Sequence, residues 1–204
     1  MTMERVAIFI DNAYFKIVQQ QEAIPVDYEK FCDEIIDSTD QSSRFRTYVY
    51  DCPPYQSNPP TAEEMKRKSG FDAFKYNIIR LSRFEVRTGR LQIQRDEKGN
   101  ILKKADGTPI LRQKGVDMAL GIDAALLAAT KQVQRIILVA GDSDFVPAIL
   151  AAKEEGVIVT LFFYPKGIVH DSLFEACDER FPITRELLQK SERKTREKNK
   201  IGHK

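Results

Sequence analysis

The sequence predicts an α/β fold built on a buried parallel sheet, and three observations indicate it. Residues 6–10 and 136–140 are continuous apolar runs, as expected of strands that are covered on both faces. Each run is followed closely by an acidic residue, Asp11 or Asp142. Residues 135–163 have the order strand, helix, strand, which defines a βαβ unit. The length of 204 residues suits one such domain and a tail.

The first third of the chain is predicted to contain two strands and two helices. Residues 5–10 form a strand, and residues 27–36 form a helix because their apolar side chains recur at helical spacing. Residues 45–50 alternate between apolar and polar and form a second strand. A loop with four prolines covers residues 53–60, and a charged helix follows over residues 62–81.

Residues 84–112 are predicted to leave the core as an inserted basic β-hairpin. Apolar and polar residues alternate there in short stretches, and turn signals occur at Lys98-Gly99-Asn100 and at Asp106-Gly107. Residues 80–114 hold ten basic residues against four acidic ones. Such a strip of positive charge is typical of surfaces that bind phosphate backbones, and the alternative is a merely solvated hairpin.

The remaining elements follow the apolar pattern as far as residue 188. Residues 116–131 form a helix that is apolar nearly all round and should therefore be buried. Next come a strand, a helix, a strand and a short helix, over residues 135–140, 145–155, 157–163 and 168–176. We therefore place one domain at residues 1–188 and a basic tail, predicted to be disordered, at residues 189–204.

The composition indicates the compartment and excludes a membrane-spanning helix. The longest apolar runs are five or six residues, which is too short to cross a bilayer. The N-terminus leads directly into a strand, which argues against a signal peptide. The cysteines Cys32, Cys52 and Cys177 lack the spacing of zinc ligands and are expected to be free thiols. Together these features predict a cytoplasmic protein.

Carboxylates at the ends of two buried strands predict a metal site. Asp11 ends the first strand, and Asp142 and Asp144 follow the strand over residues 135–140. Open α/β sheets bind ligands at the carboxyl ends of their strands, so these side chains are expected to meet. A carboxylate cluster repels itself unless a cation lies within it, and oxygen ligands favour Mg²⁺ or Mn²⁺. The alternative is that Gly-Asp-Ser-Asp at residues 141–144 is only a capped turn.

Asp117 and Asp123 both lie on the apolar helix predicted over residues 116–131. Asp117 opens that helix, where an acidic residue is either a helix cap or a further ligand. Asp123 follows six residues later and points roughly 120° away from Asp117 around the helix axis. We therefore expect Asp123 to pair with a basic residue or to lie at the rim of the site.

Other catalytic classes lack the residues that they need. His170 and His203 are the only histidines in the chain, which disfavours histidine-pair RNA cleavage and Ser-His-Asp hydrolysis. Neither a GxxxxGK phosphate loop nor a GxGxxG motif is present. A metal-assisted reaction is the chemistry that the remaining residues favour.

Three motifs, in this order, resemble those of the NYN domain, and more narrowly those of the LabA-like (DUF88) branch of the PIN-like nuclease superfamily. They are Phe9-Ile10-Asp11-Asn12-Ala13-Tyr14, Gln113-Lys114-Gly115-Val116-Asp117 and Gly141-Asp142-Ser143-Asp144-Phe145. The resemblance covers roughly residues 4–165. It implies a PIN-like three-layer α/β/α sandwich, with a central mostly parallel sheet and a metal-dependent ribonuclease site.

The resemblance also implies roles for individual residues. Asp11, Asp117, Asp142 and Asp144 match the acidic positions of the family, and they would be catalytic residues and metal ligands. Asn12 matches the polar residue after the first aspartate. With the charge of the predicted hairpin, this gives an expected set of substrate contacts: Asn12, Ser143, Lys114, Arg90, Arg95, Lys103, Lys104 and Arg112.

The leading hypothesis is a metal-dependent ribonuclease that uses Mg²⁺ or Mn²⁺ to hydrolyse single-stranded or structured RNA. The second is an RNA-binding or regulatory protein without turnover, and the third is a metal-dependent phosphatase of small nucleotides. The complete acidic set favours an enzyme, and the charged hairpin favours a polymer. Tyr14, Phe15 and Phe84 are either base-stacking groups or core residues. The sequence leaves homo-oligomers and protein partners open.

Overall fold

Six parallel strands form the central sheet of the protein, whose computed structural model describes residues 3–39, 42–105 and 107–194. Across the described residues there are eight strands, which are, in chain order, β1 (Glu4–Asp11), β2 (Ser42–Asp51), β3 (Phe84–Thr88), β4 (Arg90–Ile93), β5 (Leu111–Lys114), β6 (Arg135–Val139), β7 (Ile158–Phe163) and β8 (Glu179–Pro182). The order in the sheet is β3-β2-β1-β6-β7-β8, and each neighbouring pair is parallel. β4 and β5 form a separate antiparallel hairpin. The predicted fold class is therefore confirmed.

Helices cover both faces of the sheet, because its strands are apolar on both sides. The helices are α1 (Asn12–Glu22), α2 (Tyr28–Asp37), α3 (Ala62–Ile78), α4 (Val116–Ala129), α5 (Val146–Glu154), α6 (Asp171–Ala176) and α7 (Arg185–Lys190). Successive residues of β1 point to opposite faces. Ile8 therefore packs with α1, α2 and α7, whereas Phe9 packs with α4, α5 and α6. Each such fully buried side chain stabilises the fold by about 1.5–3 kcal/mol, which holds the three layers together.

Helix α1 is absent from the sequence-based prediction because no turn separates it from the preceding strand. Asp11 is the last residue of β1 and also the N-cap of α1. The buried face of the helix includes Phe15, Val18 and Glu22. The polar residues between them hide this face in the sequence.

Glu22 joins the first helix to the end of the chain. Its carboxylate is almost fully buried and accepts hydrogen bonds from Tyr164 Oη at 2.6 Å, Lys166 Nζ at 2.8 Å and Arg185 Nη1 at 2.8 Å. The hydrogen bonds from Lys166, Tyr164 and Arg185 lower the pKa of Glu22 to about 2. The carboxylate is thus a charged link between α1, the loop after β7, and α7.

The basic segment is placed differently from the prediction. Residues 84–88 do not leave the core: they form β3, which pairs with β2 at the edge of the sheet, and Phe84 is buried. The chain leaves the sheet at Gly89, whose N–H donates to Asp51 O at 2.9 Å. A Cβ at Gly89 would lie 2.7 Å from Lys114 O, so only glycine fits this turn into the hairpin.

The prediction that the apolar helix is buried is also wrong in part. One side of α4 packs on the sheet through Leu120, Ala124 and Ala128. On the opposite side Met118 and Leu126 are 70 % and 57 % exposed, because no other described element covers them. Within the described residues no helix is both long and apolar enough to cross a membrane. All three cysteines are free thiols, as predicted.

The C-terminal part adds β8 and α7, which the sequence analysis does not predict. Beyond α7 the backbone still contacts the start of α2: Asp27 N–H donates to Ser191 O and Arg193 N–H donates to Pro25 O, each at 2.8 Å. Residues 195–204, most of the predicted tail, lie outside the described residues.

Candidate active site at the carboxyl edge of the sheet

Two of the predicted acidic residues follow adjacent strands. β1 and β6 pair in parallel, with Ile10 opposite Val139, so Asp11 and Asp142 both lie at the carboxyl edge. Asp11 Oδ1 accepts hydrogen bonds from the N–H groups of Ala13 at 3.0 Å and Tyr14 at 3.3 Å. Each aspartate is thus a helix cap as well as a candidate site residue, since Asp142 caps the 3₁₀ turn Ser143–Phe145.

The turn after β6 and the start of α4 bring two more carboxylates to this edge. Asp142 Oδ1 accepts a hydrogen bond from Asp144 N–H at 3.1 Å, which fixes the turn. Asp117 lies in the first turn of α4, two residues after Gly115, whose φ of 86° is readily adopted only by glycine. Asp117, Asp142 and Asp144 are exposed, and Asp11 is partly buried.

The four carboxylates act on one another electrostatically. Burial raises the pKa of Asp11 from 3.8 to about 6, and the charges of Asp142 and Asp117 add to the rise, against the lowering effect of its two cap hydrogen bonds. Burial also raises the pKa of Asp117, as do the charges of Asp144 and Asp142, whereas Arg112 lowers it. The edge of the sheet is therefore a region where negative charge accumulates without full compensation.

The donor set fits a hard divalent cation by its chemistry. All four residues offer carboxylate oxygens, which Mg²⁺ and Mn²⁺ prefer. A cation would favour the charged form of Asp11 and Asp117, whose pKa is raised first by burial and then by repulsion from the other carboxylates. Among residues 3–39, 42–105 and 107–194, no three His, Cys, Asp or Glu side chains form a group that could hold an ion. Binding would therefore require the exposed carboxylates to turn toward the ion.

Asn12 lies in a buried network rather than at the surface where a substrate could reach it. Asn12 is fully buried; its Nδ2 donates to Asp51 Oδ2 at 2.6 Å, and its Oδ1 accepts from the Tyr28 hydroxyl. Lys16 Nζ also donates to Asp51 Oδ2, at 2.8 Å. The structure thus corrects the predicted substrate contact of Asn12, which instead anchors the start of α1 beside Asp11.

Asp51 is a buried acidic residue that the sequence interpretation passes over. It ends β2, the strand next to β1, and so repeats the pattern of a buried strand that runs into an aspartate. That pattern was available in the sequence. The hydrogen bonds from Asn12, Lys16 and its neighbour Cys52 occupy the carboxylate, so it supports the site rather than adding a free ligand.

Asp123 pairs with a basic residue, Arg87, which is the first of the two placements expected for it. Its carboxylate accepts hydrogen bonds from Tyr50 Oη and Arg87 Nε, each at 2.9 Å. Arg87 also forms an ion pair with Glu85 at 2.6 Å and lies over the ring of Tyr48. Asp123 and Arg87 therefore tie α4 to the edge strand β3, and Arg87 is not free to bind a phosphate.

The three candidate stacking rings are not presented to a ligand. Phe15 and Phe84 are buried, so they are core residues, which is the second of the two roles considered for them. Tyr14 is half-buried and accepts a hydrogen bond from Tyr164 N–H at 2.7 Å. A Cβ at Gly141 would lie 2.6 Å from the Tyr14 ring, so this glycine allows the ring to pack against the backbone that precedes Asp142.

The hairpin presents its positive charges on one face. In the β4–β5 register Arg90 lies opposite Lys114, and Gln92 lies opposite Arg112. These four side chains are exposed, whereas the alternating apolar residues Leu91, Ile93 and Leu111 are half-buried. Neither Arg90, Arg112 nor Lys114 forms an ion pair with another described residue. Apart from the electrostatic effect of Arg112 on Asp117, this face therefore keeps its positive charge unpaired within the described residues.

The far end of the hairpin carries the other predicted basic contacts. Arg95 and Lys103 form isolated β-bridges with Ile101 and Pro109, and Lys103 and Lys104 are exposed. Arg95 Nη1 donates to Gly99 O at 2.8 Å, which closes the turn there. These cations extend the positive surface away from the carboxylates.

A groove connects the basic face to the acidic edge. It has a volume of about 700 Å³, and its lining includes Arg90, Arg112, Lys114 and Asp117. A second groove of about 710 Å³ lies along the hairpin and shares Arg112 and Lys114 with the first. Tyr55, from the proline-rich loop, lines this second groove and is partly exposed. The two grooves together form a path that begins at Asp117.

The NYN domain family matches residues 5–184, and the chain therefore belongs to the NYN domain family. That family is part of the PIN-like nuclease superfamily, which supports a nuclease-type function, and the parallel sheet between two helical layers is consistent with the PIN-like fold. This membership was predicted from the three motifs and is confirmed; the narrower LabA-like assignment stays a prediction. Members of the superfamily generally use divalent metals.

The fold is shared with a solved protein structure. VPA0982 from Vibrio parahaemolyticus RIMD 2210633, a protein of unknown function, is 22 % identical to this chain, with a TM-score of 0.53. The similarity covers 90 % of this chain and 94 % of that one. No curated protein matches the chain. At this identity the likeness supports the fold alone.

Proposed function

We propose that this chain is a metal-dependent ribonuclease that hydrolyses phosphodiester bonds of RNA at the acidic edge of the sheet. The observation that carries the proposal is the groove in which Asp117 lies beside Arg90, Arg112 and Lys114. Carboxylates of this kind support hydrolysis, and unpaired cations beside them support binding of a polyanion. A row of cations leading away from the site favours an RNA chain over a small nucleotide, the substrate of the phosphatase hypothesis.

The acidic residues would hold the metal. In the proposal, Asp11, Asp117, Asp142 and Asp144 bind Mg²⁺ or Mn²⁺, which would supply an activated water and neutralise charge at the phosphate. The cap hydrogen bonds hold Asp11 and Asp142 in position, while the exposed carboxylates of Asp117 and Asp144 can turn toward an ion. Partial burial at Asp11 removes water, which strengthens its attraction for a cation.

The hairpin would guide the RNA. The cations Arg90, Arg112 and Lys114 neutralise phosphates next to the site, and Arg95, Lys103 and Lys104 continue the path toward the tip. Along the second groove, Tyr55 offers a partly exposed ring on which an unpaired base can stack. Ser143, half-buried at the start of the turn after Asp142, remains a proposed substrate contact.

One observation favours a second function, RNA binding without cleavage. The described carboxylates are not gathered into a group that could hold an ion. A protein that binds RNA without cleaving it has no need of such a group. Both candidate functions use the same basic face, so RNA binding does not distinguish them. Cleavage of RNA does, because only the ribonuclease would hydrolyse it.

Cleavage of labelled RNA by the purified chain tests the proposal. RNA and DNA of one sequence are incubated with Mn²⁺, Mg²⁺ or EDTA, beside Asp142→Asn and the control Asp27→Asn. Asp27 caps α2, where it accepts hydrogen bonds from Glu29 N–H and Lys30 N–H, so its variant controls for an Asp-to-Asn change at a cap away from the site. We expect cleavage of RNA with metal, none in EDTA or with Asp142→Asn, and normal cleavage by the control. RNA that is bound but intact in every metal would favour the silent protein.

The salt dependence of RNA binding tests the hairpin. Replacing Arg90, Arg112 and Lys114 with alanine should weaken binding and reduce the slope of log K against log salt by about 2, at roughly 0.7 per phosphate contact on a single strand. Alanine at the exposed residues Lys30, Lys66 and Lys131 removes the same charge elsewhere and should leave the slope nearly unchanged. Equal slopes for the two variants would mean that the hairpin is only a solvated element or serves a protein partner.

A further inference from the structure

Helix α4 carries an apolar stripe on the side that faces away from the sheet. Met118, Ile122 and Leu126 are spaced four residues apart and are 70 %, 52 % and 57 % exposed. Around the helix, they and the exposed alanines Ala125 and Ala129 fall within an arc of about 100°. No charged residue of α4 lies in this arc, because Asp117 faces the groove and Asp123 binds Tyr50.

Helix α5 continues the same surface. A Cβ at Gly121 would lie 3.7 Å from Ala148 Cβ, so the two helices are in van der Waals contact. Ala151 is exposed next to that contact, whereas Leu150 lies about 200° around α5 from Ala148, on the side where Lys153 donates to Ala176 O. We call the combined surface, Met118, Ile122, Ala125, Leu126, Ala129 and Ala151, the α4–α5 face.

The size of the α4–α5 face reaches what a specific protein interface needs. The exposed parts of its three large side chains equal rather less than two whole residues, on the order of 350 Å² of apolar surface. Its alanines bring this to roughly 500 Å², the share of one partner in an interface of about 1,000 Å², the size that a biological interface should reach. An apolar patch of this size on a soluble protein is often functional.

We propose that the α4–α5 face joins two copies of this chain in a two-fold symmetric dimer. A two-fold contact uses the same patch of both copies. A second copy therefore supplies an apolar face of equal size to cover the first. Elsewhere in residues 3–39, 42–105 and 107–194, large exposed apolar residues are spread over the N-terminal end, α1, α3, the hairpin, the far side of α5 and the α6 region. The proposal does not depend on ribonuclease activity.

Sedimentation of the full chain over a range of concentrations tests the dimer. The wild type should reach twice the 23.4 kDa mass of one chain. Ile122→Asp places two charges in the apolar contact and should raise the dissociation constant at least roughly 100-fold. The control is Ile17→Asp on α1: Ile17 is also 52 % exposed but lies outside the face, so this variant should stay dimeric.

A cross-link keeps the test decisive if Ile122→Asp fails to fold. Leu126→Cys, made with Cys52→Ser to remove the partly exposed native thiol, should be joined into dimers by a short thiol cross-linker. Its control is Ile17→Cys in the same background, which should remain uncross-linked. A wild type that is monomeric at every concentration would overturn the proposal and assign the face to a different protein. A dimer that persists in folded Ile122→Asp would overturn it in favour of another interface.

Discussion

Replacing Asp11 with asparagine is expected to stabilise the folded chain at neutral and alkaline pH while keeping the start of α1. Asparagine caps helices about as well as aspartate, so the hydrogen bonds from Ala13 and Tyr14 can be kept. What the substitution removes is a negative charge that burial and the nearby carboxylates Asp142 and Asp117 disfavour.

The size of the effect follows from the pKa of Asp11, which rises from 3.8 to about 6. One pKa unit corresponds to about 1.4 kcal/mol, so an ionised Asp11 costs the folded state on the order of 3 kcal/mol. A carboxyl group whose pKa is raised by folding favours the folded state while it is protonated. Its contribution is therefore complete below pH 3.8 and is lost as the pH rises through about 6. The asparagine variant lacks this loss.

Urea denaturation in EDTA at several pH values measures the difference. The free energy of unfolding of the variant should match that of the wild type at about pH 4. At about pH 8 it should be higher by about 2–3 kcal/mol. Asp27→Asn is the matched control, since Asp27 Oδ1 also accepts two cap hydrogen bonds, at 3.1 and 3.2 Å. A difference that does not grow with pH, or growth of equal size in the control, would refute the reasoning.

Addition of Mn²⁺ or Mg²⁺ should reverse the order of stability. A metal that binds only the folded wild type adds about 4.1 kcal/mol at a concentration 1,000 times its dissociation constant, which exceeds the advantage of the metal-free variant. Asp11→Asn lacks one proposed ligand and should gain much less. Equal gains for both proteins would show that Asp11 does not bind the ion.

Three further substitutions have distinct expected outcomes. Asp142→Asn should abolish RNA cleavage and leave the melting temperature in EDTA unchanged or higher, because asparagine keeps the cap of the turn Ser143–Phe145; a variant that unfolds would indicate a structural role alone. Asp123→Ala should lower the free energy of unfolding by about 2 kcal/mol in urea, since Arg87 and Tyr50 lose their partner; a loss below about 0.5 kcal/mol would contradict the pairing. Glu22→Gln should destabilise the chain at neutral pH, and the loss should shrink as the pH falls from 4.5 toward about 2, where the wild-type carboxylate is itself protonated. A loss that stays constant in acid would mean that the charge of Glu22 is not what stabilises the contact.

The elements that the sequence predicts are those whose pattern is local. The apolar strands β1, β6 and β7 and the helices α4 and α5 show their own periodicity, so their existence follows from composition and spacing. The split between β3 and β4 does not, because Gly89 is forced by a close approach to Lys114, which comes much later in the chain. The exposure of one side of α4 likewise depends on which elements pack against it.

The same division applies to the candidate site. The rule that ligand sites lie at the carboxyl ends of parallel strands places Asp11 and Asp142 correctly at one edge. The burial of Asn12 and the pairing of Asp123 require knowing that Asp51 and Arg87 arrive from other strands. Charge in the hairpin is visible in the sequence, whereas its confinement to one face follows from the β4–β5 register.

The position of β1 between β2 and β6 has a consequence for synthesis of the chain on the ribosome. The bond from Arg5 N–H to the side chain of Gln134 spans 129 residues, so one edge of β1 stays unpaired until β6 has emerged. At the usual rate of about 5–20 residues per second, this interval is on the order of ten seconds. During it, the unpaired N–H and C=O groups along one edge of β1, a strand with apolar side chains, are open to pairing with other nascent chains. Co-translational aggregation should therefore be sensitive to whatever slows translation between β2 and β6.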